Sequence, residues 1–390
     1  MKIGVFGGTF NPPHIGHLSS SESAAGRLGL DRLIIVPAGV PPHKPLPDGT
    51  PSAEMRLHMT RIAFKDAFNT DVSDIEIKSG KPGYTAHTVE GIKKDYPGAQ
   101  IYLLVGTDMY LTLQTWKDSE KLLKAVTPAV FSRHAEDAEK IADYSLFLNK
   151  RYGTHTETIA NRVVDISSSR LREMLPNREG AGYITDTTYS YIIKNRLYDA
   201  KPDWDWLRER AYSMLNPTRV PHVAGCEEEA LRLARRWGVD LDDAREAAIL
   251  HDITKKLVLE ENVKILEEYG IPVGKLAFAE EKLLHSKSGA VLAKTLFGVS
   301  GEVYDAIMSH TTGKPGMSDL DKVIYLADYI EPERDFPGIE DLRAAAYNDI
   351  NNAMIMGLEM SVQDMRERGI TPNRATFDAL NDIRIEGIGV

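Results

Sequence analysis

Two rhythms of apolar residues divide the chain. Through residues 1–200, short apolar runs (KIGVF, RLIIVPA, VSDIEI, IYLLVGTD, PAVFSR and RVVDIS) alternate with stretches such as SAEMRLHMTRIAFKDAF and DSEKLLKAV. The runs predict strands, and the stretches, apolar at helical spacing, predict helices. Such alternation predicts βαβ units and an α/β fold, a mostly parallel, doubly wound Rossmann-like sheet. Ligand sites in these sheets lie beyond the carboxyl ends of the strands, where GGTF, GTD and ISSSR fall. Around LYDAKPDWDW, Pro202 and its polar neighbours predict a boundary, with domains over 1–200 and 201–390. Past it the strand signal stops. EEEALRLARRWG, DAREAAILHDITKKL, VYDAIMSH and LDKVIYLADYI all read as helices, so the second domain is expected to be all-α.

Composition narrows the class. The chain has 390 residues, 42% hydrophobic and 27% charged, enough apolar mass for two real cores. No apolar run approaches a membrane span, and MKIGVFGG lacks the zones of a signal peptide. One cysteine, Cys226, excludes an internal disulfide and suits a reducing compartment, so a cytoplasmic location is expected. The net charge of −10 is uneven: Lys and Arg number 24 against 23 acids in residues 1–200, then 23 against 34. Neither half carries the basic surplus of a nucleic-acid binder.

The first chemistry sits directly after KIGVF, in GGTFNPPHIGH. A turn from a strand into a helix presents backbone N–H groups and a positive dipole end to a phosphate. Gly7 and Gly8 would let the backbone approach, Thr9 adds a hydroxyl, and Phe10 follows. His14 and His17, three apart, share one face of the first helical turn. The segment is neither a Walker A loop nor a G-x-G-x-x-G fingerprint. A plain βα turn stays open on these residues alone. A metal pair is disfavoured, since no Cys and no evident acid lie beside the histidines.

His14-Ile15-Gly16-His17 resembles the (H/T)-x-G-H signature of the nucleotidyltransferase superfamily, and ISSSRLR resembles its partner I-S-S-T-x-x-R. PPHK, SAEMR, GYTAHTV, LVGTD and TW further resemble bacterial nicotinate-mononucleotide adenylyltransferase along nearly all of residues 1–200. The resemblance implies AMP transfer from ATP, with Mg²⁺, to nicotinate mononucleotide, releasing pyrophosphate. It also implies roles: His17 and His14 at the α-phosphate, and Lys44, Arg133 and Arg170 on the β- and γ-phosphates. Ile166, Ser167 and Ser168 would complete the nucleotide grip, Gly106 and Asp108 would meet the adenosine, and Thr85 and Trp116 the nicotinate. The proline-rich patch 37–51, which carries Lys44, reads as an active-site loop. Where the family reads Tyr-Thr-x-Asp-Thr, this chain has His87 in place of the acid.

Residues 201–390 hold four histidines: His222, His251, His285 and His310. His251 and Asp252 interrupt the apolar stretch AAILHDITKKL, and such a polar pair needs partners to be buried. The set resembles the H…HD…D pattern of the HD phosphohydrolase superfamily, as His222, His251-Asp252 and Asp328. With His285 and His310 it matches two-metal variants, which implies iron or, failing that, manganese, bridged by Asp252. HDITK, SHTTG and LDKVIYLADYIEPERDFPG resemble the bacterial YqeK family, implying symmetrical hydrolysis of diadenosine tetraphosphate to two ADP. Lys255, Arg219 and Arg334 are candidate phosphate helpers, the two arginines equally readable as surface salt bridges. The implied partners are ATP, nicotinate mononucleotide and diadenosine tetraphosphate, without nucleic acid or membrane, and a homo-oligomer stays open. A second reading keeps the adenylyltransferase and makes the helical half a ligand sensor or a phosphohydrolase of other specificity.

Overall fold

A computed structural model describes residues 1–41, 45–132, 137–160, 164–273 and 281–386. Two compact units divide the chain, Met1–Lys201 and Pro202–Val390.

The first unit is built on a six-stranded sheet: β1 (Lys2–Gly8), β2 (Arg32–Pro37), β3 (Thr70–Val72), β4 (Gln100–Gly106), β5 (Thr127–Ser132) and β6 (Glu157–Ala160). Every pairing is parallel and the order is β3-β2-β1-β4-β5-β6. Alternate strand residues supply two cores. Ile3, Val5, Ile34, Ile101 and Leu103 pack with Val89, Ile92, Leu122 and Leu148 from helices on one side. Leu33, Ile35, Tyr102 and Leu104 pack with Ala24, Leu28 and Phe64 on the other. Burial on both faces is why these strands read as unbroken apolar runs. The order reverses between β1 and β4, and there the helices that follow diverge and leave a crevice.

A sequence expectation fails locally. VSDIEI is not one strand: β3 ends at Val72, and Ile75–Ser79 is a short helix. Ser73 Oγ accepts the Ile75 N–H, and Asp74, at the cap position, pairs with Lys78 and Arg61. Polar residues that bond the nearby backbone turn the chain after three residue pairs with β2. Of RVVDIS, Arg162 and Val163 lie outside the described residues, and the last strand among the described ones is β6, at Glu157–Ala160, paired with β5 from Ala129↔Glu157 to Ser132↔Ala160. Val164 to Ser167, the described part of that segment, has no regular structure and leads into the cap of helix Ser168–Met174.

Among its described residues the second unit has helices and no strand. Helices Val220–Trp237, Leu241–Leu250, Gly301–Ser309 and Asp319–Ile330 enclose one core. It is rich in alanine (Ala230, Ala234, Ala244, Ala247, Ala248), whose small side chains let helices approach closely. One helix is shorter than the sequence suggests. It ends at Leu250, and His251 to Lys256 form turns rather than continuing AAILHDITKKL. Among the described residues, no helix is long and apolar enough to cross a membrane.

Candidate functional sites

In the first unit the crevice beyond β1 and β4 is a cavity of about 490 Å³. It is lined by Gly7, Gly8, His14, His17, Gly106, Asp108, Trp116, Ile166, Ser167 and Arg170, so both signatures face one space. Thr9, Phe10 and Ser168 line an adjoining hollow of about 270 Å³ that shares His17. Thr85 begins helix Thr85–Asp95 and lines neither. Lys44 and Arg133 lie outside the described residues, which leaves Arg170 as the one lysine or arginine among those lining the larger cavity.

The turn is held from three directions. Ser168 Oγ donates to Pro12 O at 2.8 Å, and Arg172 Nη1 to Asn11 O at 2.7 Å, tying the two signatures across 156 and 161 residues. Tyr198 OH donates to Asn11 Oδ1 at 2.8 Å. Arg56, 1% exposed, donates to Thr9 O, Ala38 O and Gly39 O at 2.7 to 3.0 Å. Arg56 is the last residue of SAEMR, and it sits with Thr60 and Ala63 on the buried stripe of its helix; the motif did not say what it holds. Gly16 is needed for close approach: a Cβ there would stand 3.0 Å from the His14 ring and 3.6 Å from Ile166.

At the start of helix Ile15–Leu28, the His14 backbone N–H donates to His17 Nδ1 at 3.2 Å. A nitrogen that accepts cannot carry the ring proton, so a neutral His17 presents Nε2–H. Phe10, at φ +46°, packs its ring 5.0 Å from that imidazole and 6.1 Å from Phe64. Beyond β4, Thr107 Oγ1 bonds both Phe131 O and Asp137 Oδ2, bracing the ends of two strands. His87, the departure from the family loop, reaches Asp118 Oδ2 at 3.5 Å.

The second unit gathers all six of its candidate ligands. Asp252, fully buried, lies between His285 and His310 on Oδ1, at 3.2 and 3.6 Å, and His251 on Oδ2, at 3.5 Å. His222 Nε2 is 3.0 Å from Asp328 Oδ1 and 4.0 Å from Asp252 Oδ2. His251 and His310 both follow the last residue of a helix, at the C-cap. Each turns Nδ1 back onto a last-turn carbonyl, Ala248 O and Ile307 O, at 2.7 Å. That satisfies an otherwise orphaned carbonyl and makes Nδ1 the protonated nitrogen, leaving Nε2 as a bare lone pair aimed inward. Glu331, within the quoted LDKVIYLADYIEPERDFPG but given no role there, lies 3.1 Å from His222 Nδ1 and orients that ring in the same sense.

The two carboxylates stay ionised. Burial opposes ionisation of Asp252, but the surrounding His251, His285 and His310 hold its carboxyl well below the usual range. Asp328, half-buried, is held far down by its bond with His222. Burial lowers His285 to about 4, so its ring is neutral at physiological pH. Lys255, lowered by burial, places Nζ 3.0 Å from His285 Nε2 and 3.8 Å from Asp252 Oδ1. Arg219 lies 2.6 Å from Asp252 Oδ2, and Arg334 Nη2 2.8 Å from Asp328 Oδ1. Both arginines therefore pair with the cluster's own acids rather than forming separate surface bridges.

These residues fit divalent metal. His251 Nε2 is buried without a hydrogen bond, and Asp252 Oδ1 makes none that satisfies normal geometry. The His285 and His310 Nε2 atoms stand 3.2 Å apart. Two nitrogens bound to one ion at about 2.0–2.1 Å and near right angles would stand about this far apart. His222, Cys226, His251 and Asp328 form one group of converging donors, and His251, Asp252 and His310 a second. A cavity of about 950 Å³ opens beside His310, Asp328 and Arg334 and runs past Tyr329 and Phe336 to Glu359, Asp364 and Glu367.

Family models match both units: cytidylyltransferase-like over residues 5–174 and HD domain over 219–333. A Carboxydothermus hydrogenoformans protein named a probable nicotinate-nucleotide adenylyltransferase is 37% identical over 201 residues, 50% of this chain and 98% of that one. A solved Clostridium acetobutylicum structure, described as a predicted HD superfamily hydrolase involved in NAD metabolism, covers 47% of this chain and 97% of its own. Its sequence identity is 35% and its TM-score 0.46. A Mycoplasma genitalium protein named a probable nicotinate-nucleotide adenylyltransferase/Ap4A hydrolase is 30% identical over 336 residues, 85% of this chain and 88% of that one. With both units matched in order along one relative, this chain belongs to the nicotinate-nucleotide adenylyltransferase family, in the form that carries an HD domain behind the nucleotidyltransferase unit.

Proposed function

We propose that the chain is a bifunctional enzyme, transferring AMP from ATP to nicotinate mononucleotide in the first unit and splitting diadenosine tetraphosphate into two ADP in the second. The first half of the reading is carried by the meeting of Gly7–His17 and Ile166–Arg170 on one cavity at the sheet's switch point. In it, the acceptor's phosphate oxygen attacks the α-phosphorus of ATP in line, and pyrophosphate leaves. Such transfers need positioning and charge neutralisation more than a covalent nucleophile. His17 Nε2–H donates to the α-phosphate as charge builds there, its direction fixed by the bond to His14 N–H. Arg170 holds the departing phosphates, with Mg²⁺ entering on ATP. Asp108 at the mouth of β4 takes a ribose hydroxyl, and Trp116 stacks on the pyridine ring. The roles of Lys44, Arg133 and Thr85 rest on the family resemblance alone.

For the second half, the supporting observation is the inward convergence of Nε2 atoms on Asp252 and Asp328. His222, His251, His285, His310, Asp252 and Asp328 would hold two transition-metal ions, iron or manganese by ligand type. Metals in such a centre supply Lewis-acid polarisation and an activated water. The chain's own part is to place the polyphosphate. Arg219, Lys255 and Arg334 supply positive charge beside the cluster in a unit otherwise acidic. The acidic far wall of the 950 Å³ cavity would repel phosphate, which orients the polyphosphate toward the cluster and a nucleoside toward Tyr329 and Phe336. A paired assay on the intact chain with its metals quantified tests both halves. The expected products are deamido-NAD from ATP plus nicotinate mononucleotide, and ADP from diadenosine tetraphosphate. No turnover of the tetraphosphate with metals bound would refute the hydrolase and leave a ligand sensor. No transfer to nicotinate or nicotinamide mononucleotide would refute the first activity.

A further inference from the structure

We propose that Cys226 is a sulfur ligand of the metal held by His222, His251 and Asp328. His222 and Cys226 are four residues apart on helix Val220–Trp237, the spacing that puts two side chains on one face a single turn apart. Histidine pairs use the same interval to grip zinc. Cys226 is 1% exposed, and its Sγ lies 3.4 Å from His222 Nε2. Bonds of about 2.3 Å to sulfur and 2.0–2.1 Å to nitrogen, at angles between right and tetrahedral, would set those atoms roughly 3.1–3.6 Å apart. All four donors of this group lie within 4.8 Å of one another. A second observation points to the same place. His251 Nε2, a member of the group, is buried with no hydrogen bond of its own.

The plain alternative is a cysteine acting as a small core hydrophobe. Cys226 is as buried as its helix neighbours Ala230, Leu233 and Ala234, which pack into the apolar cluster of the unit. Its sulfur faces nitrogen and carboxylate instead. Gly225 fits this arrangement: a Cβ there would stand 2.7 Å from Glu331 Oε2, the carboxylate that orients His222. On coordination the S–H bond breaks, the sulfur–metal bond forms and one proton passes to solvent. A thiolate in the set shifts preference toward softer ions such as zinc or cobalt, away from magnesium.

The inference rests on the cluster being a metal centre, and the test separates the two. The full chain is stripped with chelator, freed of thiol reductant and reloaded with Co(II) alone. Because the chain has a single cysteine, a strong near-ultraviolet thiolate-to-cobalt band can come only from Cys226. We expect that band in the wild type, and its loss in Cys226→Ala and Cys226→Val with cobalt still bound. Should both variants fail to fold, X-ray absorption on the zinc-loaded wild type decides, with sulfur at about 2.3 Å expected. Cobalt bound without the band, or zinc with only nitrogen and oxygen neighbours, overturns the sulfur ligand and spares the metal centre. No metal bound to the wild type overturns both.

Discussion

His17, His251 and His310 each sit at a helix end, and which end decides what the ring can do. At an N-terminus the free backbone group is a donor, so His17 Nδ1 accepts from His14 N–H and Nε2 keeps the proton. At a C-terminus the free group is a carbonyl, so His251 and His310 donate through Nδ1 and expose a lone pair on Nε2. One residue type thus offers a hydrogen-bond donor to phosphate in one unit and a ligand to metal in the other. His17→Ala is expected to lower adenylyl transfer on the order of 10²-fold or more, read as kcat at saturating ATP. Near-normal turnover would remove His17 from the reaction.

Elements carry the next level of constraint. Helix Ala53–Ala63 buries a guanidinium to hold the ends of β1 and β2 together through three carbonyls. Arg56→Met would leave them unpaired in a buried place, costing about 2 kcal/mol or more. The melting of the first unit should fall by several degrees; an unchanged melting temperature would make Arg56 dispensable. In the second unit, Asp243 opens helix Leu241–Leu250 among Asp240, Glu246 and Glu302. Burial, then those charges, raise its carboxyl to about 6. Between pH 4 and 6 the folded state therefore binds more protons than the unfolded, so stability falls as pH rises through that window. Denaturant melts from pH 4 to 7 should give a flatter profile for Asp243→Asn than for the wild type. Parallel profiles would deny Asp243 this effect.

At the scale of the whole chain, each cavity and each cluster described is built within one unit. Asp252→Ala is therefore expected to abolish metal loading and tetraphosphate hydrolysis while adenylyl transfer persists, measured on the same preparation. Loss of both activities would mean that the units depend on each other to fold.

Much of this organisation was already legible. The unbroken apolar runs of β1, β2, β4 and β5 announced a sheet because burial on both faces leaves no polar alternation. The paired signatures placed a nucleotide grip before any geometry was known, since motif spacing is written in the chain itself. VSDIEI misled because local side-chain bonds, not apolar content, set where a strand stops. The roles of Arg56, Glu331 and Cys226 stayed hidden for a related reason. Their importance lies in what faces them from 17 to 109 residues away, or one turn along a helix. By itself the sequence determined the periodicity, the two fold classes and the residue types available for chemistry. Tertiary structure decided how the rings of His251 and His310 are turned, because each Nδ1 bonds a carbonyl that its helix end leaves unpaired.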